Sequence, residues 1–151
     1  MEDFIKFKGK LELVLRDENG NIKQVEETNN LVVTAGKAHI TSRMIGVGQA
    51  VMSYMAVGTT ATAPAAGDTD LIAIAGTRVS GATSAQYTQS VTNDGVQYQC
   101  TIPAGNGTGA LVEAGIFNAS SGVTMLARAV FSVINKAAGD SLTITWKVYL
   151  T

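Results

Sequence analysis

Few side chains in this chain can do chemistry, and their spacing narrows what they can do. His39 is the one histidine, so any Ser-His-Asp or Cys-His arrangement must use it, because a weak nucleophile needs a positioned base. It sits beside Ile40 in a helix-patterned segment, where a lone histidine is either a surface residue or a satisfied core residue. Cys100 is the one cysteine. It alternates with Val96 and Tyr98 and reads as a small buried apolar residue rather than a reactive thiol. A single thiol builds no internal disulfide, metal cluster or redox pair. Gly46-Val47-Gly48 lacks a preceding strand, a third glycine and a following helix, so it is not a phosphate-binding loop.

Two groups of charged residues remain. Asp68 and Asp70 stand two apart in a loop; they either offer two oxygens of an incomplete site for a hard cation or act as a cap and turn. Glu113 is the more informative residue. At strand spacing Leu111, Glu113, Gly115 and Phe117 share a face, which sets a carboxylate on an apolar surface, and a buried carboxylate needs a partner. Arg128, between Leu126 and Val130, or Arg78, beside Val79, can pair with it bidentately. Such an ion pair fixes strand register or a contact between subunits; general acid-base work would want a second carboxylate nearby. No catalytic, cofactor or metal site is assigned.

The elements that must hold these residues follow from composition and alternation. At 151 residues the chain fits one domain, spanning 1–151, which buries roughly 70% of the surface its unfolded form exposes. Charged residues are 15% of the chain, below the ~25% usual for soluble domains, and a surface so poor in charge suits coverage by partners. The net charge of −1 and pI near 5.7 provide no basic face for phosphates, so direct nucleic-acid binding is not expected. No window approaches ~20 uninterrupted apolar residues, so no membrane-spanning helix is predicted. The start, Met1-Glu2-Asp3-Phe4-Ile5-Lys6, does not resemble a secretory signal. Asn106-Gly107-Thr108 and Asn118-Ala119-Ser120, which match the glycosylation pattern, are accordingly read as turns.

Period-two alternation predicts the strands. Leu11, Leu13 and Leu15 alternate with Glu12, Val14 and Arg16, and Asp17-Glu18-Asn19-Gly20-Asn21 supplies the turn of a hairpin from Lys10 to Val25. Thr34 is the expected N-cap of one short helix near residues 35–45, with Ile40 and Met44 on its apolar stripe and Gly46 ending it. Further strands are predicted at 52–58, 85–91, 96–102, 110–118, 124–134 and 141–150. Leu71-Ile72-Ala73-Ile74 fits either a strand or a helical turn, and 59–67 reads as an exposed loop of small residues. In the last strand Leu142, Ile144, Trp146, Val148 and Leu150 alternate with Thr143, Thr145, Lys147 and Tyr149. The predicted fold is all-β: a single antiparallel β-sandwich, jelly-roll or Ig-like, with a core of Leu11, Leu13, Leu15, Phe117, Leu142, Ile144, Trp146 and Val148. The N-terminal hairpin, residues 1–30, is available as an arm to neighbours.

Several stretches resemble a group of small virion structural proteins of tailed bacteriophages. They are Asn30-Leu31-Val32-Val33-Thr34-Ala35-Gly36-Lys37, Met55-Ala56-Val57-Gly58-Thr59-Thr60, Gly67-Asp68-Thr69-Asp70-Leu71, Glu113-Ala114-Gly115-Ile116-Phe117-Asn118, Met125-Leu126-Ala127-Arg128 and Leu142-Thr143-Ile144-Thr145-Trp146. Related patterns carry an acidic residue and an arginine after the Asp-Thr-x-Leu stretch, where this chain has Ala73-Ile74-Ala75-Gly76 before Thr77-Arg78. The resemblance implies a structural component of the virion, made in the host cytoplasm and needing no cofactor. Its first expectation is a capsid decoration or cement protein, a homo-trimer bound to the phage major capsid protein. A tail, collar or fibre-adaptor subunit contacting other virion proteins by β-augmentation is the alternative. A carbohydrate-binding module is weaker, since Trp146 falls on the buried face, and an enzyme is not expected for want of any acid-base or nucleophile cluster.

Overall fold

The computed structural model describes residues 3–151 and contains two five-stranded sheets packed face to face. The chain runs β1 (Phe7–Arg16), β2 (Ile22–Asn29), β3 (Leu31–Val32), α1 (Thr34–Met44), β4 (Tyr54–Gly58), β5 (Ile74–Ser80), β6 (Thr83–Tyr87), β7 (Gly95–Ile102), β8 (Gly109–Phe117), β9 (Met125–Lys136) and β10 (Ser141–Leu150). The first sheet has the order β2-β1-β10-β7-β6 and the second β3-β9-β8-β4-β5. Every pairing is antiparallel. The molecule is the all-β sandwich with one short helix that alternation predicts. Among the described residues, no helix is long and apolar enough to cross a membrane.

The interior of the first sheet follows directly from its sequence. Leu11, Leu13 and Leu15 lie opposite Trp146, Ile144 and Leu142, and a shared face in an antiparallel pair turns all six side chains into the sandwich. All six are buried, with Val148 beside them at the end of the strand, while Leu150 at the margin stays 38% exposed. Turn chemistry closes the hairpin: the Asp17 carboxylate accepts the N–H groups of Asn19 and Asn21 at 2.9 Å each, an Asx-type turn.

The hairpin is built into the first sheet rather than extending from it. β1 is the second strand of its sheet and pairs along its whole length with β10, because its leucines can leave water only inside the sandwich. Met1 and Glu2, part of the expected arm, lie outside the described residues.

Phe117 is fully buried, but in a second cluster with Val33, Ala56, Leu71 and Met125 rather than in the main interior. These residues alternate with interior ones: Ala56 lies between Met55 and Val57, and Phe117 follows Ile116. The second sheet is thus covered on its outer face too, by the segment after β4 and the start of α1. One sandwiched interior was the expectation; a sheet buried on both faces loses the alternation that reports which face is which.

The helix also differs in detail. Val33, not Thr34, is the N-cap, and it supplies no side-chain bond; Thr34 N–H donates instead to the Ala66 carbonyl at 2.8 Å. The buried residues of α1 are Gly36 and His39, whereas Met44 is 80% exposed. Gly36 sits directly against the Leu126 carbonyl, where any side chain would collide with backbone. The helix therefore lies on β9 by its smallest residue, which rotates Met44 away. At its end Gly46 N–H bonds Arg43 O and Val47 N–H bonds Ser42 O, at 3.2 and 3.0 Å, a Schellman closure with Gly46 in the left-handed region as expected.

Candidate functional site: a buried charge centre beneath a pinned loop

Glu113 lies on β8 and Arg128 on β9. Glu113 is opposite Val130, and Arg128 is opposite Gly115, whose missing side chain leaves the guanidinium free to reach diagonally toward the carboxylate. Arg128 Nε donates to Glu113 Oε2 at 2.9 Å, and Nη2 lies 2.7 Å from the same oxygen, with neither side chain exposed. Arg128 Nη1 donates to Asp68 Oδ2 at 3.1 Å. Two carboxylates thus hold one guanidinium.

Glu113 does not share a face with Leu111, as simple alternation predicts. Leu111 and Ala114 both belong to the main interior although they are three residues apart; the register between β8 and β9 shifts between Leu111 and Glu113 and reverses the parity of the strand. The irregularity turns Glu113 out of the sandwich and onto the outer face of the second sheet, beneath the loop that follows β4.

There the carboxylate organises backbone. Oε1 accepts the Ala73 N–H at 2.9 Å and Oε2 the Ile72 N–H at 3.3 Å, so 71–73 is neither strand nor helical turn but an irregular run pinned to Glu113. Asp68 also accepts the Ala65 N–H at 2.9 Å, and Thr59 N–H bonds Ala73 O at 2.9 Å. Gly58, opposite Glu113 on β4, gives passage: a side chain there would strike both the Glu113 carboxylate and the Ala73 carbonyl. The result is a loop from Thr59 to Ala73, made of small uncharged residues at its tip, fixed at both ends and in the middle.

Arg78 does not pair with Glu113. Its Nη2 contacts the Asp70 carboxylate, its Nη1 donates to Ser120 O at 3.0 Å, and its guanidinium lies 4.7 Å from the centre of the Phe117 ring. Asp68 and Asp70 each face an arginine rather than each other, so capping and ion pairing account for both. Among the described residues no cluster of three or more His, Cys, Asp or Glu is assembled. The role of Asp68 as second partner of Arg128 was missed from sequence; no spacing rule links residues sixty apart.

The remaining singled-out residues have local duties. His39 is buried, with Nδ1 3.2 Å from Gln49 Oε1. Cys100 is buried, and burial pushes its thiol pKa up. Asn106 and Asn118 shape turns, bonding to Thr77 and to Thr124 N–H respectively. Trp146 is fully buried and offers no stacking platform. Two hollows, about 320 Å³ beside Lys10, Glu12, Glu27 and Lys147 and about 230 Å³ beside Phe7, Ile40, Leu126 and Val148, lie apart from the charge centre.

Chemically the centre is a clamp. Every carboxylate oxygen that faces Arg128 is already engaged by it or by a backbone N–H, so the groups orient the chain around them. Comparison with protein-family models, curated proteins and solved structures finds no match for this chain.

Proposed function

We propose that this chain is a structural protein of a tailed-phage particle, acting as a capsid decoration or cement protein that binds major capsid subunits through a preformed loop surface. One observation supports this most. Five of the six stretches that carry the phage resemblance meet at one place: Gly58 passes Glu113, Asp68 and Glu113 grip Arg128, and the β3–α1 junction packs beside them. What those stretches share is therefore the apparatus that holds the Thr59–Ala73 loop in shape.

A loop held at both ends, with an uncharged tip from Thr59 to Gly67, suits protein docking because little ordering entropy is lost on binding and no charge at the tip must be desolvated. Many copies, each closing an interface of order 1,600 Å², reinforce a shell collectively. A tail, collar or fibre-adaptor subunit is the second reading, favoured by the open strand edge described below.

Quantitative mass spectrometry of purified particles from the genome that encodes the chain tests both. A copy number on the scale of the shell's subunits supports decoration, and one matching the small rotational symmetry of tail or portal supports the adaptor. Absence from particles overturns the virion assignment.

A further inference from the structure

Four strands border the two sheets: β2 and β6 in the first, β3 and β5 in the second. A border strand presents unpaired N–H and C=O groups that will pair with another strand unless something prevents it. Three of the four are protected. β2 carries Lys23, Glu26 and Glu27, and its Gln24 and Thr28 side chains donate to the Val133 and Val130 carbonyls of β9 at 2.9 and 3.1 Å, closing that side of the sandwich. β3 is two residues long and leads straight into α1. β5 has a register shift against β4, and the Asn106 side chain takes up the N–H and C=O of Thr77 at 2.9 and 3.3 Å, standing in for a neighbouring strand.

β6 has none of these devices. Its sequence, Thr83-Ser84-Ala85-Gln86-Tyr87, contains no charge and no proline, and the nearest charged residues along the chain are Arg78 and Asp94. Thr83 to Gln86 are exposed. Among the described residues, no side chain or loop bonds the β6 backbone on the side away from β7.

We propose that β6 is a self-association edge, pairing antiparallel with β6 of a second copy across a two-fold axis at Ala85 and joining two first sheets into one. Identity of the partner follows from the residues. In a symmetric antiparallel pair centred on Ala85, Thr83 meets Tyr87 of the other copy, Ser84 meets Gln86 and Ala85 meets itself. No like charges face each other in that register, the smallest side chain lies on the axis, and the Thr–Tyr pairs are a favourable cross-strand combination. The charge near the strand is the Lys147 ammonium, 4.5 Å from the centre of the Tyr87 ring, so an extended basic segment is disfavoured here while the neutral β6 of a second copy is not. The contact joins copies in pairs, where the phage resemblance implies a trimer, and it does not depend on where in a particle the protein sits.

The test is sedimentation equilibrium of the full chain over a wide concentration range, with four variants. The unmodified chain is expected to dimerise. Ala85→Cys is expected to form a disulfide-linked dimer on air oxidation, since Cys100 is buried, while Val25→Cys on β2 is not. The charge pairs then read the register. Ser84→Lys with Gln86→Lys sets lysines opposite lysines twice and is expected to raise the dimer Kd on the order of tenfold, whereas Ser84→Lys with Gln86→Glu sets opposite charges together and keeps the dimer. Far-UV circular dichroism confirms that each variant is folded. A chain monomeric at every concentration overturns the proposal, as does equal cross-linking at the two cysteine positions or a dimer indifferent to the double lysine.

Discussion

Arg128 and Glu113 are diagonal neighbours across β8 and β9, joined by an Nε–H···Oε2 bond of 2.9 Å with both side chains sealed from water. The cost of stripping water from two such charges is large, and their mutual attraction offsets it only while both are present. The pair therefore acts less as a source of net stability than as a condition on the fold: these strands, in this register, with the Thr59–Ala73 loop in place.

Removing one partner is accordingly expensive. Glu113→Ala is expected to destabilise the protein by about 3–5 kcal/mol, lowering Tm on the order of 10 °C for a chain of this size. Replacing both, Glu113→Leu with Arg128→Met, recovers most of that loss. Urea unfolding of the two variants checks it; equal destabilisation by both would show that the charges are not coupled.

Asp68→Ala leaves the buried pair intact but frees the Ala65 N–H and one guanidinium nitrogen. The expected cost is about 1–3 kcal/mol, the usual range for a lost charge-assisted bond. Its distinctive sign is local: amide exchange at Ala65 accelerates far more than at Leu13 or Ile144, measured by hydrogen exchange.

Gly58→Ala adds one methyl group where the Glu113 carboxylate and Ala73 carbonyl already approach. A loss of about 1–3 kcal/mol is expected from overpacking, against almost none for Gly67→Ala, which has open space around it. Thermal melts of the two side by side decide the matter.

Acid stability depends on turn carboxylates. The Lys23 ammonium at 2.6 Å, then the Ala137 N–H, hold Asp140 below the ordinary carboxylate range. The backbone N–H groups of Gln89, Val91 and Ser90 hold Asp94 far below it, and those of Asn21 and Asn19 lower Asp17. Each folded pKa lies under the unfolded value near ~3.9, so the stabilisation is complete above about pH 4 and is lost as pH falls through the folded values. Urea midpoints are expected to hold level, as far as these groups govern them, down to about pH 4 and to fall beneath it. Lys23→Ala is expected to make that fall shallower without moving its start, and only through Asp140.

Trp146 is sealed in the core, and its indole N–H finds no acceptor there. Its fluorescence is expected to be blue-shifted and resistant to iodide quenching until the protein unfolds. Trp146→Phe removes an unsatisfied donor along with some volume, so its cost should fall well short of the ~3–5 kcal/mol of a large-to-small truncation.

Alternation in the amino-acid sequence already marks the inner strands of the first sheet and their interior, Leu11, Leu13 and Leu15 against Leu142, Ile144 and Trp146, because a sheet with one wet face writes its burial that way. The border strand β6, expected at 85–91, lies instead at Thr83–Tyr87, since the Asp94 carboxylate gathers the N–H groups of Gln89, Ser90 and Val91 into a turn. The sequence also shows that Glu113, a carboxylate in an apolar strand, needs a cation. Tertiary structure alone decided the rest. The register shift after Leu111 reversed the parity that Phe117 and Glu113 seemed to share with the interior, and a loop covering the outer face of the second sheet erased the alternation there. Arg128 was chosen over Arg78, and Asp68 joined it, through the pairing of strands far apart in the chain. Local spacing records which face a side chain takes while the strand is regular; it does not record which distant backbone will lie across that face.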